Sequence, residues 1–295
     1  MWAGLQRAPA RRRTSLVANT TAPCGHPRGV AEGRQWKVGR WSETQILIPG
    51  IGDSFEGQRP SSLGLGLDKS NHLGHPVRMP IVQIDGLDPR RTAMIVVDME
   101  NDFVDKNAPL ETPAAREMVP KLAEALSACR SAGINVIFTT HVHRRDGSDL
   151  GLFSFSPMIA EGRALAEGTR GVEIYAALAP LPGEHVIEKH RFSGFFGTDL
   201  DMILRGWHVD TVIIAGTTTE NCCHATARDA LFRDYKVVFL SDATATFDYP
   251  DLGFGEMAAA DVHRAALVIL AASTAHVMSV EDMKSRLPTP TMSSD

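Results

Sequence analysis

The sequence predicts an α/β protein, a three-layer, doubly wound and mainly parallel six-stranded sheet with helices on both faces. Strand-like and helix-like stretches alternate from Thr92 almost to the C-terminus. The strand-like runs, such as TAMIVVD (92–98) and DTVIIAG (210–216), are continuous apolar stretches rather than alternating ones. That is the pattern of strands covered on both faces. The composition is also that of an ordinary globular chain: 295 residues, 43% hydrophobic and 22% charged, enough for one large core.

TAMIVVD is the first strand. Thr112 and Pro113 then supply an N-cap and a proline at the first helical position. The helix they open carries Val119, Leu122, Leu126 and Cys129 on one face and stops at Gly133, which makes Cys129 a core thiol. INVIFTTH (134–141) is the second strand. Residues 142–183 are irregular and glycine-rich, the kind of long segment that carries binding loops. HVIEK (185–189) is a short third strand. GTDLDMILRGW (197–207) reads as a helix capped by Thr198, with Leu200, Ile203 and Leu204 turned inward. DTVIIAG is the fourth strand, and helix formers run from Ala225 to Phe232. YKVVFLS (235–241) is the fifth, followed by an alanine-rich helix over 255–273, an edge strand AHVMS (275–279) and a closing helix VEDMKSRL (280–287).

The net charge of −5 argues against nucleic acid and anionic membrane as partners. No apolar run approaches the roughly 20 residues of a membrane helix. Four cysteines, at 24, 129, 222 and 223, form neither a C-x-x-C pair nor a disulfide framework, which points to free thiols in a reducing, cytoplasmic setting. Residues 1–78 stand apart. The first 31 lack any acidic residue, and 49–76 are rich in Gly, Ser and Pro. They read as a disordered extension or as translation from a start upstream of Met79, with a transit-like peptide as the other reading. WKVGRWSETQILIPGI (36–51) has room for a short strand. The folded domain is expected over 79–287, with a loose tail over 288–295.

In an open parallel sheet, ligands bind beyond the carboxyl ends of the strands. Asp98 closes the first strand, Lys189 closes the third, and Cys222 follows the fourth at the start of a helix. Unpaired backbone N–H groups and the helix dipole favour a thiolate there, and a thiolate is a nucleophile. If the three converge, Asp98 accepts the thiol proton and returns it to a leaving amine. Lys189 lowers the thiol pKa, and the backbone N–H groups of Thr218 and Cys222 hold a tetrahedral oxyanion. Taken singly, each residue has a plainer reading: Asp98 as a turn cap, Lys189 as a solvated strand end, Cys222 as a small buried hydrophobe.

Three segments decide between these readings. VVDMENDF (96–103), EKHRFSGFFGTDLDMILR (188–205) and AGTTTENCCHATARDA (215–230) together resemble the isochorismatase-like cysteine hydrolase superfamily, in the expected order. Among its members the second segment is most similar to ureidoacrylate and related carbamoyl-amide hydrolases. The resemblance implies hydrolysis of a C–N bond in a small amide or ureido compound through an acyl-enzyme on Cys222. By motif match, Asp98 and Lys189 are its partners and Cys223 is a packing residue. It also implies a cis peptide before Thr218, pocket walls at Phe103, Phe195 and Phe196, and a homo-oligomer, dimer or tetramer. No cofactor is expected. Metal-binding nicotinamidases of the superfamily carry Asp where His141 stands, then a His matching His143 and another downstream; HRRDGSDLG (143–151) lacks that last one, so a metal-free site is implied. Glu100 replaces a common Gln, either altering polarity at the site mouth or facing solvent. Two other activities remain open: vinyl-ether hydrolysis of the isochorismatase type, which does not require the cysteine, and a non-catalytic binding role.

Overall fold

The computed structural model describes residues 82–288. The expected 1–78 extension, the short strand within 36–51 and all but the first residue of the 288–295 tail lie outside the described residues. The chain begins its regular structure at β1 (Thr92–Val97) and continues through a short helix α1 (Asn101–Val104), α2 (Pro113–Ser131) and β2 (Asn135–His141). A one-turn helix α3 (Pro157–Ala160) lies in the long irregular segment before β3 (His185–Lys189). Next come α4 (Leu200–Gly206), β4 (Thr211–Thr217), a π-helical turn (Thr219–Cys223) and α5 (His224–Leu231). The chain closes with β5 (Lys236–Ala245), α6 (Ala259–Ser273), β6 (His276–Met278) and α7 (Val280–Ser285).

All six strands pair in parallel, in the order β3-β2-β1-β4-β5-β6. The chain winds outward from β1 to β3, returns to β4 beside β1, and winds out the other way. The switch between β1 and β4 opens a crevice at their carboxyl ends. Every residue of β1 and β4 is buried, so side chains alternate between two cores rather than between core and water. Met94 and Val96 pack with α2 and α7 on one face. Ala93, Ile95 and Val97 pack with Leu200 and Leu204 of α4, Ala227 and Ala230 of α5 and Leu270 of α6 on the other.

Helix α2 starts at Pro113 behind Thr112 and ends before Gly133, whose φ of 77° suits the left-handed stop. Its buried face holds Leu122, Leu126 and Cys129 as expected, together with Met118, while Val119 is partly buried against the same core. Strand β5 outruns its expected end at Ser241. Ile214 pairs with Phe239 and Gly216 with Thr244, so a bulge in β5 carries the polar Ser241–Asp242 pair past the ladder, and pairing resumes beyond it. The alanine-rich helix starts at Ala259, not 255, where Asp248 accepts the Ala259 N–H at 2.7 Å. Among the described residues no helix is long and apolar enough to cross a membrane.

Candidate active site

Three strand ends meet at the switch crevice. Asp98 follows β1 with a φ of 48°, which turns the chain sharply off the sheet, and its side chain is fully buried. Thr139 of β2 donates its hydroxyl to Asp98 Oδ1 at 2.7 Å. Lys189, the last residue of β3, is also fully buried. Its Nζ lies 2.7 Å from Asp98 Oδ2, 3.4 Å from Cys222 Sγ and 3.0 Å from the Arg191 carbonyl. All three ammonium hydrogens therefore have a direction to point, which is what a buried cation requires.

Cys222 sits in the π-helical turn between β4 and α5, 4% exposed. The strand can reach it only because residue 216 is glycine: its φ is 121°, and a Cβ there would collide with the backbone of Val97. The Thr217–Thr218 peptide is cis, as the resemblance implies. The turn is braced from two sides. Thr226 donates to the Cys222 carbonyl at 2.7 Å and accepts the Gly194 N–H at 3.0 Å. The Thr219 hydroxyl lies 2.9 Å from His263 Nδ1, and His263 Nε2 donates to the Ser241 carbonyl.

Burial dominates the electrostatics. It would push Lys189 down, but the Asp98 charge 2.7 Å away holds the ammonium above its ordinary range. Burial pushes the Cys222 thiol well up, Asp98 adds to this, and Lys189 opposes both without reversing them. The lowering expected from Lys189 and the helix start is thus outweighed by burial, and the thiol is held up rather than down. Beside the triad, Glu100 is fully buried rather than facing solvent. Burial and then the Asp98 charge raise its carboxyl well above the ordinary 4.5, and Oε2 accepts the His141 N–H at 3.1 Å. His141 is held neutral, by burial first and by Lys189 second.

With this geometry in view, the comparison with known sequences is direct: the isochorismatase domain profile matches residues 92–282. The chain belongs to the isochorismatase family. The ureidoacrylate amidohydrolase RutB of Pantoea ananatis is 33% identical over 177 residues, 54% of this chain and 71% of that protein. A probable inactive nicotinamidase of Arabidopsis thaliana is 35% identical over 159 residues, 53% of this chain and 81% of that one. The crystal structure of a cysteine hydrolase from Pseudomonas syringae pv. phaseolicola 1448A superposes with a TM-score of 0.67 and 39% identity, over 70% of this chain and 97% of that one.

In this isochorismatase-family chain, Asp98, Lys189 and Cys222 are brought together as a buried cluster, with Thr218 and Cys222 on one tight turn. The three phenylalanines are dispersed. Phe103 is buried in the core on the α2 side. Phe195 is buried on the opposite face, near Tyr235 and beneath the Arg233 guanidinium. Phe196 is 63% exposed and lines an open cavity of about 330 Å³ with Asp149, His190 and Arg191. The aromatic rings against His141 are instead Phe153 and Phe192, at 5.4 and 6.3 Å between centroids. Phe153 belongs to the irregular 142–183 segment, where no periodicity signals direction; Phe192 lies inside a quoted motif that drew attention to Phe195–Phe196. Among the described residues, two groupings place three potential metal ligands within 4.8 Å of one another. One is Asp98, His141 and Cys222, which includes the reacting groups. The other is His143, Asp149 and His190, in which Asp149 lies 3.2 Å from both imidazole Nδ1 atoms. Sequence reading counted His141 and His143 only.

Proposed function

We propose that the chain is a cysteine-dependent amidohydrolase that cleaves a C–N bond of a small amide, ureido or carbamoyl compound through an acyl-enzyme on Cys222. The observation that carries the reading is the buried contact of thiol, ammonium and carboxylate, with Lys189 Nζ 3.4 Å from Cys222 Sγ and 2.7 Å from Asp98 Oδ2. As Sγ attacks the carbonyl carbon, its proton passes to Asp98. The oxyanion that forms is received by the backbone N–H groups of Thr218 and Cys222. Asp98 returns the proton to the nitrogen, the C–N bond breaks, and the amine or ammonia leaves. A water then loses a proton to Asp98 and attacks the thioester; the C–S bond breaks, the acid leaves, and Asp98 returns the proton to Cys222 Sγ. Lys189 keeps the Asp98 carboxyl oriented throughout and favours its charged form at the start of each half. In a dry pocket that pairing is stronger than in water.

Cys222→Ala and Cys222→Ser are expected to abolish ammonia release across a panel of primary amides, ureas and carbamoyl compounds, with an unchanged circular-dichroism spectrum. Cys223→Ala, by contrast, is expected to lose little. Substantial turnover by Cys222→Ala would sink the mechanism. The relative named as a probable inactive nicotinamidase makes a non-catalytic role the reading to beat, and stoichiometric alkylation separates the two. Amidase chemistry requires substrate-protectable labelling of Cys222, whereas a binding protein shows activity in neither state. Vinyl-ether hydrolysis would survive Cys222→Ala.

A further inference from the structure

At the β1–β2 carboxyl edge Asp98 Oδ2 has only its ion pair with Lys189, and three further buried side-chain atoms have no hydrogen-bond partner among the described residues: Glu100 Oε1, His141 Nε2 and His143 Nε2. An unpaired buried polar atom is costly, so several retained in one place call for an explanation, and one beside a reaction site is offered to whatever binds there. His141 is the one beside the reaction. It is 2% exposed, and one of its ring nitrogens lies within 4.8 Å of both an Asp98 carboxylate oxygen and Cys222 Sγ.

Its neighbours hold the ring still. Phe153 meets it edge-on at an interplanar angle of 72° and Phe192 at 86°, while the Glu100 carboxyl fixes the His141 backbone N–H. Two of the other polar groups near the thiol are committed. Lys189 is engaged three ways, and Thr139 spends its hydroxyl on Asp98. We infer that His141 is a specificity-determining residue, whose imidazole nitrogen accepts a hydrogen bond from an N–H on the substrate nitrogen next to the scissile carbonyl. This rests on the amidohydrolase reading and narrows it. The substrate class is primary and secondary amides and ureides, which carry that N–H; esters and fully alkylated amides do not. A neutral imidazole suits the task, since an imidazolium would have no lone pair to offer. The same hydrogen bond would orient the nitrogen toward the Asp98 oxygen that later protonates it.

The test compares two probe types on the full chain: the best N–H substrate from the amide and ureide panel, and p-nitrophenyl acetate, whose acylation of Cys222 is read by mass spectrometry as an added acetyl group. His141→Leu is expected to lose about 10- to 100-fold in kcat/KM on the N–H substrate, the scale of one buried hydrogen bond. Acylation by the ester should change far less. His141→Asn, whose side-chain oxygen can accept the same bond, should recover much of the loss, and it carries the test if the leucine variant fails to fold. Equal losses on both probes would reduce His141 to a structural residue and overturn the inference, as would no loss on either. If the wild type is acylated by the ester yet turns over no N–H compound, the inference falls while the Cys222 chemistry stands. If Cys222 is not acylated at all, the amidohydrolase reading itself falls.

Discussion

At the scale of single residues, Glu100 shows how burial reassigns a charge. Its carboxyl shares a dry pocket with Asp98, and one lysine cannot satisfy two carboxylates. Glu100 therefore keeps its proton in the folded chain at pH values where the unfolded chain has lost it. In that window the native state binds the extra proton, so stability falls as pH rises from the ordinary 4.5 toward the raised folded value. Glu100→Gln replaces the neutral acid with a neutral amide of the same shape and removes the dependence. The variant should melt higher than wild type at pH 8, and the gap should close near pH 4.5; each kcal/mol gained corresponds to roughly 2–4 °C for a domain of this size. A gap that ignores pH would show that Glu100 is not the titrating group. The same burial explains what the residues could announce in advance. Asp98, Lys189 and Cys222 sit at strand and helix ends with recognisable neighbours. His141 also closes a strand and Glu100 lies in a quoted motif, but the approach of one to the thiol and the burial of the other come from which strand lies next to which, and the raised thiol pKa comes from a desolvation that no spacing records.

Among the elements, β4 and the turn after it are the most constrained. The apolar run Thr211–Ile214 marks the strand, and the threonines and glycine after it mark a turn. Nothing in the letters says how closely β4 passes β1. Gly216 gives that distance, because a methyl group there meets the Val97 backbone, and the φ of 121° is one that L side chains rarely adopt. Gly216→Ala should cost at least about 3 kcal/mol. In urea this appears as a lower midpoint with an unchanged slope. A midpoint matching wild type would mean that the strands can separate without penalty. The other elements divide along the same line. Strands β1 to β4 and helix α2 were legible because apolar runs, Thr112-Pro113 and Gly133 are local signals. The extension of β5 past Ser241–Asp242 was not, because it depends on Thr244 and Ala245 finding Gly216 and Thr217 across the ladder. The direction of the 142–183 segment was not either; its aromatic contacts with His141 and His143 are tertiary.

The whole molecule raises one question that the single chain leaves visible on its surface. Helix α6 buries Val262, Ala266 and Leu270 against the sheet, yet its outer side is also apolar: Ala265, Val268, Ile269 and Ala272 are exposed, Val268 at 63% and Ile269 at 48%. An exposed apolar stripe of this kind is a surface that a second protein face can cover. The spacing of that outer stripe reads the same in both directions, two small residues flanking two large ones, so two antiparallel copies can set Val268 and Ile269 against each other and Ala265 opposite Ala272. Such self-complementarity is what a two-fold interface needs. The homo-oligomer that the family resemblance implies would then close over the helix whose inner face, through His263, braces the Cys222 turn. Sedimentation at micromolar concentration is expected to show a dimer or a multiple of it. The double variant Val268→Glu with Ile269→Glu, which sets like charges against each other across that two-fold, should run as a monomer or a smaller assembly, with slower turnover as the brace loosens. Met202→Lys, an equally exposed apolar position on α4, should change nothing. A monomeric wild type, or an assembly indifferent to the charges on α6, would rule this face out.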